Sequence, residues 1–580
     1  MVLLPLAEIV ARAAFGTGIP ASGPIVQNLT LWVGFLGAAL AARENELLAL
    51  ATGELLPKGT ARDVAKIVAA TVAAGVAAML ARASAELVLI ERDGGMQIGA
   101  GIPVWVVEIV LPVSFALIAL RIAWRASERW WGRLIALGGA GAGLWLGWNE
   151  ALLDGRPAWP GVLVVIVATL LGGPIFAALG GAALFLFLAD GVPSAAIPVE
   201  TYRLGVSPTL AAIPLFTLTG FLLAEGKASE RLLRVFRAFV GWIPGGTAVV
   251  TAALCAFFTV FTGGSGVTIL ALGGLLLPAL IRDGYREKFS LGLVTASGSL
   301  GLLWPPALPI ILYAVVADIP YENLFIGGAF PGLLMFGLVA ALGVREGLVT
   351  GAGRSAWNAR EAAAALWHAK WEVLLPVVVL IAIFGGFATI VESAAVAALY
   401  ALISQCFVHR DLSVRRDLVR VFQRCCVVIG GVIIILGVAM GLTSYLIDAQ
   451  VAARTMEWAE GALHSRFAFL LALNVLLIVV GCLMDIFSAI VVVVPLILPI
   501  SQAFGIDPVH LGIIFVANLE LGYLTPPVGL NLFLASYRFN KPLMEVARAT
   551  LPMLLILLAG VLLITYVPAL TLGPLRLMGR

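Results

Sequence analysis

Two short stretches of this chain place helix-breaking residues inside otherwise apolar surroundings. They are Leu300–Pro309, LGLLWPPALP, and Leu521–Asn531, LGYLTPPVGLN. Adjacent prolines, Pro305-Pro306 and Pro526-Pro527, cannot continue a helix, because each lacks an N–H and clashes with the preceding turn. Gly301, Gly522 and Gly529 loosen the same backbone further. A broken helix exposes carbonyls at the end of its first half and amides at the start of its second. Carbonyls suit a hard cation such as sodium, and helix N-termini favour an anion such as a carboxylate. The chemistry on offer is therefore ion binding rather than bond making.

The two stretches are copies. Pro526 lies 221 residues after Pro305, and the same offset aligns Leu300 with Leu521, Gly301 with Gly522, Leu303 with Leu524, Pro278 with Pro499 and Gly284 with Gly505. It also lays Gly263–Ser265 over Met484–Ile486, so each copy pairs one hairpin tip with one broken helix. In the first copy the candidate ion- and substrate-binding positions are Thr262, Gly264, Ser265, Gly266, Ser297, Gly298, Gly301, Pro305 and Pro306. In the second they are Asp485, Asn518, Gly522, Thr525, Pro526, Pro527, Gly529 and Asn531. Glu392 and Glu520 are further acidic residues at membrane depth. Each has an ordinary alternative. Ser and Thr in membrane helices often bond their own i−4 carbonyl or pack a helix interface. An Asp in the bilayer is costly unless paired, so Asp485 is read as coordinating or charge-balancing. Trp304, Tyr313 and Tyr523 are read as packing or interface aromatics. No basic residue lies inside either hairpin or broken helix, so an anion would be held by amides and bound cations.

Such residues need a membrane scaffold, and the composition supplies one. Of 580 residues, 61% are hydrophobic and 12% charged, with a mean hydropathy of +1.06. A soluble domain carries about twice that charge. Many windows exceed roughly 18 apolar residues, enough to cross a bilayer. The fold class expected is an all-α polytopic membrane protein. Five cysteines, with no metal-type spacing, read as structural thiols. The four histidines, His368, His409, His464 and His510, show no metal spacing, and no nucleophile–base pair stands out, so an embedded enzyme is disfavoured. The first residues, MVLLPLAEIVARAAF, lack a basic n-region and read as the tail of a first helix.

Taking Lys/Arg clusters as cytoplasmic threads the chain. Segments at 1–15, 26–42, 67–90 and 103–123 form a four-helix unit ending at Arg121, Arg125, Arg129 and Arg133, and a connector at 134–149 crosses outward. Beyond it come a hairpin at 161–189 broken by Gly172-Gly173-Pro174, a helix at 208–224 and an amphipathic stretch, Lys227–Val240. In that stretch Leu232, Leu233, Phe236, Phe239 and Val240 share one face and Arg231, Arg234 and Arg237 lie largely on the other, as suits a helix at the membrane interface. A re-entrant hairpin at 247–281 and the broken segment 289–317 complete the first copy. After a return at 323–344, the second copy runs through a hairpin at 371–408, a helix at 425–447, a hairpin at 467–503 and the broken segment 508–537, with a last helix at 551–570. The domains expected are 1–130, a connector at 131–160, and a transport unit at 161–575 with repeats at about 161–317 and 371–537. The copies have opposite membrane sense, which is the architecture of secondary transporters.

Four runs carry a family resemblance: SGVTILALGGLLLPALIRDGY, GLLWPPALP, IVESAAVAALYALI and GIDPVHLGIIFVANLELGYLTPPVGLNLFLAS. They resemble the large membrane subunit of TRAP transporters, the tripartite ATP-independent periplasmic transporters, over about 160–570. Residues 25–130, with LGAALAARENE, resemble the small membrane subunit, so the chain looks like a fusion of the two. The resemblance implies sodium-coupled symport of an organic acid such as a dicarboxylate by an elevator-type motion in the bacterial inner membrane. A separate periplasmic substrate-binding protein would deliver the substrate. Sodium ions would be the coupling ions, with no other cofactor and no nucleic acid partner. The alternatives are an ion-coupled carrier that needs no binding protein and a membrane-embedded enzyme. The hairpin tip TGGSG has fewer serines than is usual in the family, and Trp304 stands where a smaller residue is common.

Overall fold

The computed structural model describes residues 1–49, 59–99, 101–352, 356–451, 465–526 and 529–579. Pro527, Lys58, Arg354 and His464 lie outside the described residues, as does most of 448–466. All regular secondary structure among the described residues is helical, and ten helices are long and apolar enough to cross a membrane.

The described residues divide into two compact units, each considered by itself. The first contains residues 3–214 together with 422–454. Its axis is the long helix Thr60–Gly94, whose buried Ala73, Ala74, Ala77 and Ala78 leave room for close neighbours. The helix Trp130–Trp148, expected as a connector, packs along this axis glycine on glycine. A Cβ on Gly143 would lie 2.1 Å from the Gly75 carbonyl oxygen, and one on Gly139 would lie 2.5 Å from that of Thr71. Ser22–Glu44 meets Asp417–Asp448 in the same way: a Cβ on Gly430 would lie 2.0 Å from the Ala38 nitrogen. Small residues let backbones approach this closely, and dispersion between backbones replaces the hydrophobic force that lipid cannot supply. The expected hairpin appears as Trp159–Leu170 and Ile175–Ala189 around Gly172-Gly173-Pro174. A helix at Ala196–Gly205 was not foreseen.

The second unit holds residues 215–421 and 455–580. The amphipathic helix forms at Ala228–Val240, with Leu232 and Leu233 buried. Arg231 departs from the expected polar face. It pairs at 2.6 Å with Glu372, whose side chain is fully buried, and at 2.7 Å with Asp411, and it donates to the Gln405 amide oxygen at 2.9 Å. Hydrophobic period alone cannot see partners about 140 residues or more away in the chain. His409 stands 3.4 Å from the same Glu372 carboxylate. Burial, and then the Arg231 charge, hold its imidazole below the ordinary value, so Arg231 is the counter-ion there.

The hairpin expected at 371–408 is built from Lys370–Phe384 and Ile390–Ile403 and ends in a π-turn at Ser404–Val408. Glu392 starts its second arm in a capping box: Thr389 N–H donates to its carboxylate at 2.8 Å, and its own N–H donates to the Thr389 hydroxyl at 3.3 Å. Its carboxylate thus serves a helix end. Two short helices, Ala359–His368 and Ala569–Leu577, were not foreseen.

Candidate functional site

The first hairpin consists of Gly246–Thr262 and Ser265–Arg282, joined by Gly263 and Gly264. Gly263 has φ +65°, a left-handed geometry that glycine adopts without strain, and a side chain there would strike Leu308. The first broken helix follows as Glu287–Ser297 and Leu308–Ala317, with ten residues between them in turns. Pro305 and Pro306 lie in that break, joined by a cis peptide bond.

Hairpin and break are tied through Thr259 and its partner Thr268, which sequence reasoning missed. Thr259 shares a hydrogen bond with Thr268 at 2.7 Å and donates to the Gly298 carbonyl at 2.7 Å. Thr262 lies 3.3 Å from Thr268 and donates to the Gly264 carbonyl at 3.3 Å. Gly298 and Gly301 are where the break touches the hairpin; a Cβ on Gly301 would lie 2.3 Å from the Ala256 carbonyl oxygen. The hydroxyl oxygens of Ser265 and Ser297 are buried and have no protein hydrogen-bond partner.

The second copy has Arg466–Leu483 and Ile486–Ala503 as its hairpin, and Pro508–Gly522 and Leu530–Phe539 as its broken helix. Asp485 is the N-cap of the inserted arm. It accepts from the Phe487 N–H at 3.0 Å, the Ser488 N–H at 3.1 Å and the Ser488 hydroxyl. The carboxylate therefore has local structural partners. Thr525 donates to the Leu521 carbonyl at 2.8 Å, the ordinary i−4 back-bond. Pro526 follows it in the break.

Gly522 lies against Gly481, and the Gly529 N–H donates to the Cys482 carbonyl at 3.1 Å, so break and hairpin lie backbone to backbone. Tyr523 is more than a packing residue: its hydroxyl accepts from the Ile486 N–H at 2.5 Å, satisfying an amide at the start of the inserted arm. Tyr313 also bonds, donating to the Pro508 carbonyl at 3.0 Å across the two broken helices. Trp304 packs against Gly332, with its indole N–H unpartnered. Because a buried N–H without an acceptor costs about 1–3 kcal/mol, Tyr523→Phe should lower the thermal midpoint of the detergent-purified protein. An unchanged midpoint would remove the role assigned to this hydroxyl.

The copies meet in a crossed arrangement. Ser265–Arg282 packs on Leu530–Phe539, and Ile486–Ala503 packs on Leu308–Ala317. Gly266 faces Leu534, and the Asn531 side-chain amide donates to the Thr295 carbonyl at 3.3 Å. The Asn531 amide oxygen has no protein partner. The same holds for the amide oxygen of Asn518, whose nitrogen donates to Asn474 at 2.7 Å and to the Ile514 carbonyl at 2.9 Å. Both carboxylate oxygens of fully buried Glu520 are also unpartnered. Hydroxyl, amide and carboxylate oxygens are the ligand set that a hard cation takes.

Paired hairpins and crossed broken helices in an apolar, all-helical chain define the class as a secondary-transporter-like membrane protein. Residues 162–570 match the family described as tripartite ATP-independent periplasmic transporter, DctM component, and residues 1–132 match the DctQ component. The chain belongs to the TRAP transporter family, with both membrane components fused. It is a multi-pass protein of the bacterial inner membrane.

Among curated relatives, the isethionate TRAP transporter permease protein DctMQ of Oleidesulfovibrio alaskensis is 34% identical over 489 residues, covering 81% of this chain and 74% of that one. The C4-dicarboxylate TRAP transporter large permease protein DctM of Pseudomonas aeruginosa is 35% identical over 398 residues, covering 68% and 92%. The ectoine/5-hydroxyectoine TRAP transporter large permease protein UehC of Ruegeria pomeroyi is 31% identical over 418 residues, covering 71% and 96%. The two compact units cut across the matched components, since residues 161–214 and 422–454 group with the DctQ-like part.

Proposed function

We propose that this permease is a sodium-coupled symporter for an organic acid, fed by a periplasmic substrate-binding protein and working by an elevator-type motion. The observation that carries the sodium reading is the set of buried, unpartnered oxygens of Ser265, Ser297, Asn518, Glu520 and Asn531, which lie on the hairpin and broken helix of the first copy and the broken helix of the second. An unpaired oxygen in so apolar a surrounding is costly, and a cation removes that cost. Amides at the start of Ser265–Arg282 suit the substrate's carboxylate. The named substrates of the relatives differ, so the acid is proposed by class only. Residues 1–130 serve as the small-subunit domain, 131–160 as the connecting helix and loop, and 161–575 as the transport domain. The elevator reading rests on the family resemblance and is supported by the division of the chain into two compact units.

The test is uptake of radiolabelled organic acids into proteoliposomes with the cognate binding protein and an inward sodium gradient. Uptake that vanishes when potassium replaces sodium is expected. Uptake indifferent to sodium would refute the coupling, and uptake unchanged without the binding protein would favour a carrier of free substrate.

A further inference from the structure

We infer that the first compact unit carries a binding site for an anionic phospholipid on its cytoplasmic side, formed by two adjoining recesses that share Trp124 and Arg125. One recess, of about 690 Å³, is polar; Lys66, Arg125 and Arg133 line it, and Glu128 is the one carboxylate in its described lining. Its rim is held by the backbone: the Ile175 N–H donates to the Leu48 carbonyl at 3.0 Å, which pins the loop after Ser22–Glu44 to the Gly172-Gly173-Pro174 turn. The second recess, of about 440 Å³, is lined by Leu120 and Trp124, both more than half exposed, with Arg43 and Arg121 beside them.

Arg43 pairs with Glu44 at 3.6 Å, but the cations of the larger recess are open to a ligand. Lys66 and Arg125 are exposed and have no carboxylate partner among the described residues. Arg133 is already oriented, its guanidinium 4.9 Å from the Trp124 ring centre and 5.7 Å from that of Trp130, with Nε donating to the Ser127 carbonyl at 2.9 Å. Exposed Trp124 and Trp130 mark the depth of lipid headgroups, and the Arg121–Arg133 cluster marks the cytoplasmic leaflet. A cationic recess at that depth, continuous with an apolar one opening outward, matches a negatively charged headgroup and the start of its acyl chains. A free phosphate would have no use for the Leu120–Trp124 face, so the ligand is a lipid.

The test is native mass spectrometry of the full chain in detergent, titrated with phosphatidylglycerol or phosphatidylethanolamine. The wild type should hold phosphatidylglycerol about tenfold more tightly, the scale expected when several cations act near an anionic headgroup. Lys66→Gln with Arg125→Gln should remove that preference, and the charge-keeping pair Lys66→Arg with Arg125→Lys should retain it. Equal binding of the two lipids by the wild type, or an unchanged preference in the glutamine pair, would overturn the site. Displacement of the lipid by inorganic phosphate would overturn the lipid in favour of a soluble anion.

Discussion

Asn531→Ala should cut sodium-driven uptake about tenfold to a hundredfold while the protein still reaches the membrane. The change deletes a side-chain hydrogen bond between the two broken helices, 3.3 Å from the Asn531 amide to the Thr295 carbonyl. It also deletes a buried amide oxygen with no protein partner. Stranding the Thr295 carbonyl costs about 1–3 kcal/mol, and tenfold to a hundredfold follows if that cost falls on the transport-competent state. Asn531→Asp separates the two contributions, because it keeps an acceptor and loses the donor. If the oxygen binds sodium, the alanine variant should need more sodium for half-maximal uptake than the aspartate variant. Wild-type uptake and wild-type sodium dependence in Asn531→Ala would remove this residue from the site.

Gly522→Leu should have the largest structural effect. A Cβ on Gly522 would stand 2.5 Å from the Gly481 Cα and 2.6 Å from its carbonyl carbon, so the clash is with backbone that no rotamer change relieves. Overpacking of this kind costs about 1–3 kcal/mol, and more where the backbone is rigid. Ordinary contact requires the helices to part by about an ångström, judged by normal carbon–carbon separations. That movement strains both ties on the break, Gly529 N–H to Cys482 and Ile486 N–H to Tyr523. Uptake should be lost and the thermal midpoint lowered. Gly337→Leu is the control, because nothing lies within 4 Å of a Cβ there. Equal stability of the two variants would contradict the close approach.

Much of the architecture was legible because breaking a helix is a local act. Pro-Pro, Gly-Gly and a capping Asp interrupt the i→i−4 ladder whatever surrounds them. That is why the interruptions at Gly263-Gly264, Met484-Asp485, Pro305-Pro306 and Gly385-Gly386 stand where the residues put them. The repeat offset was legible too, since duplicated segments keep their punctuation in register. The short helices Ala196–Gly205, Ala359–His368 and Ala569–Leu577 were not, because they carry no long apolar period.

Partners were far less legible. Asp485 and Thr525 looked alike in sequence as polar residues at breaks, yet both are engaged by their own helix ends. Ser265 and Asn531 keep free oxygens instead. Tyr523 looked like packing and became a hydrogen-bonding tie, Thr259 went unnoticed and became another, and Arg231 turned inward to Glu372.

By itself the sequence determined that this is a duplicated, all-helical membrane protein of the TRAP transporter family, and where its helices must break. Those properties follow from residue type, hydropathy and spacing along one chain. The tertiary structure alone decided which polar atoms remain unpaired at those breaks. That depends on which glycine lets which helix approach, and on acceptors tens or hundreds of residues away.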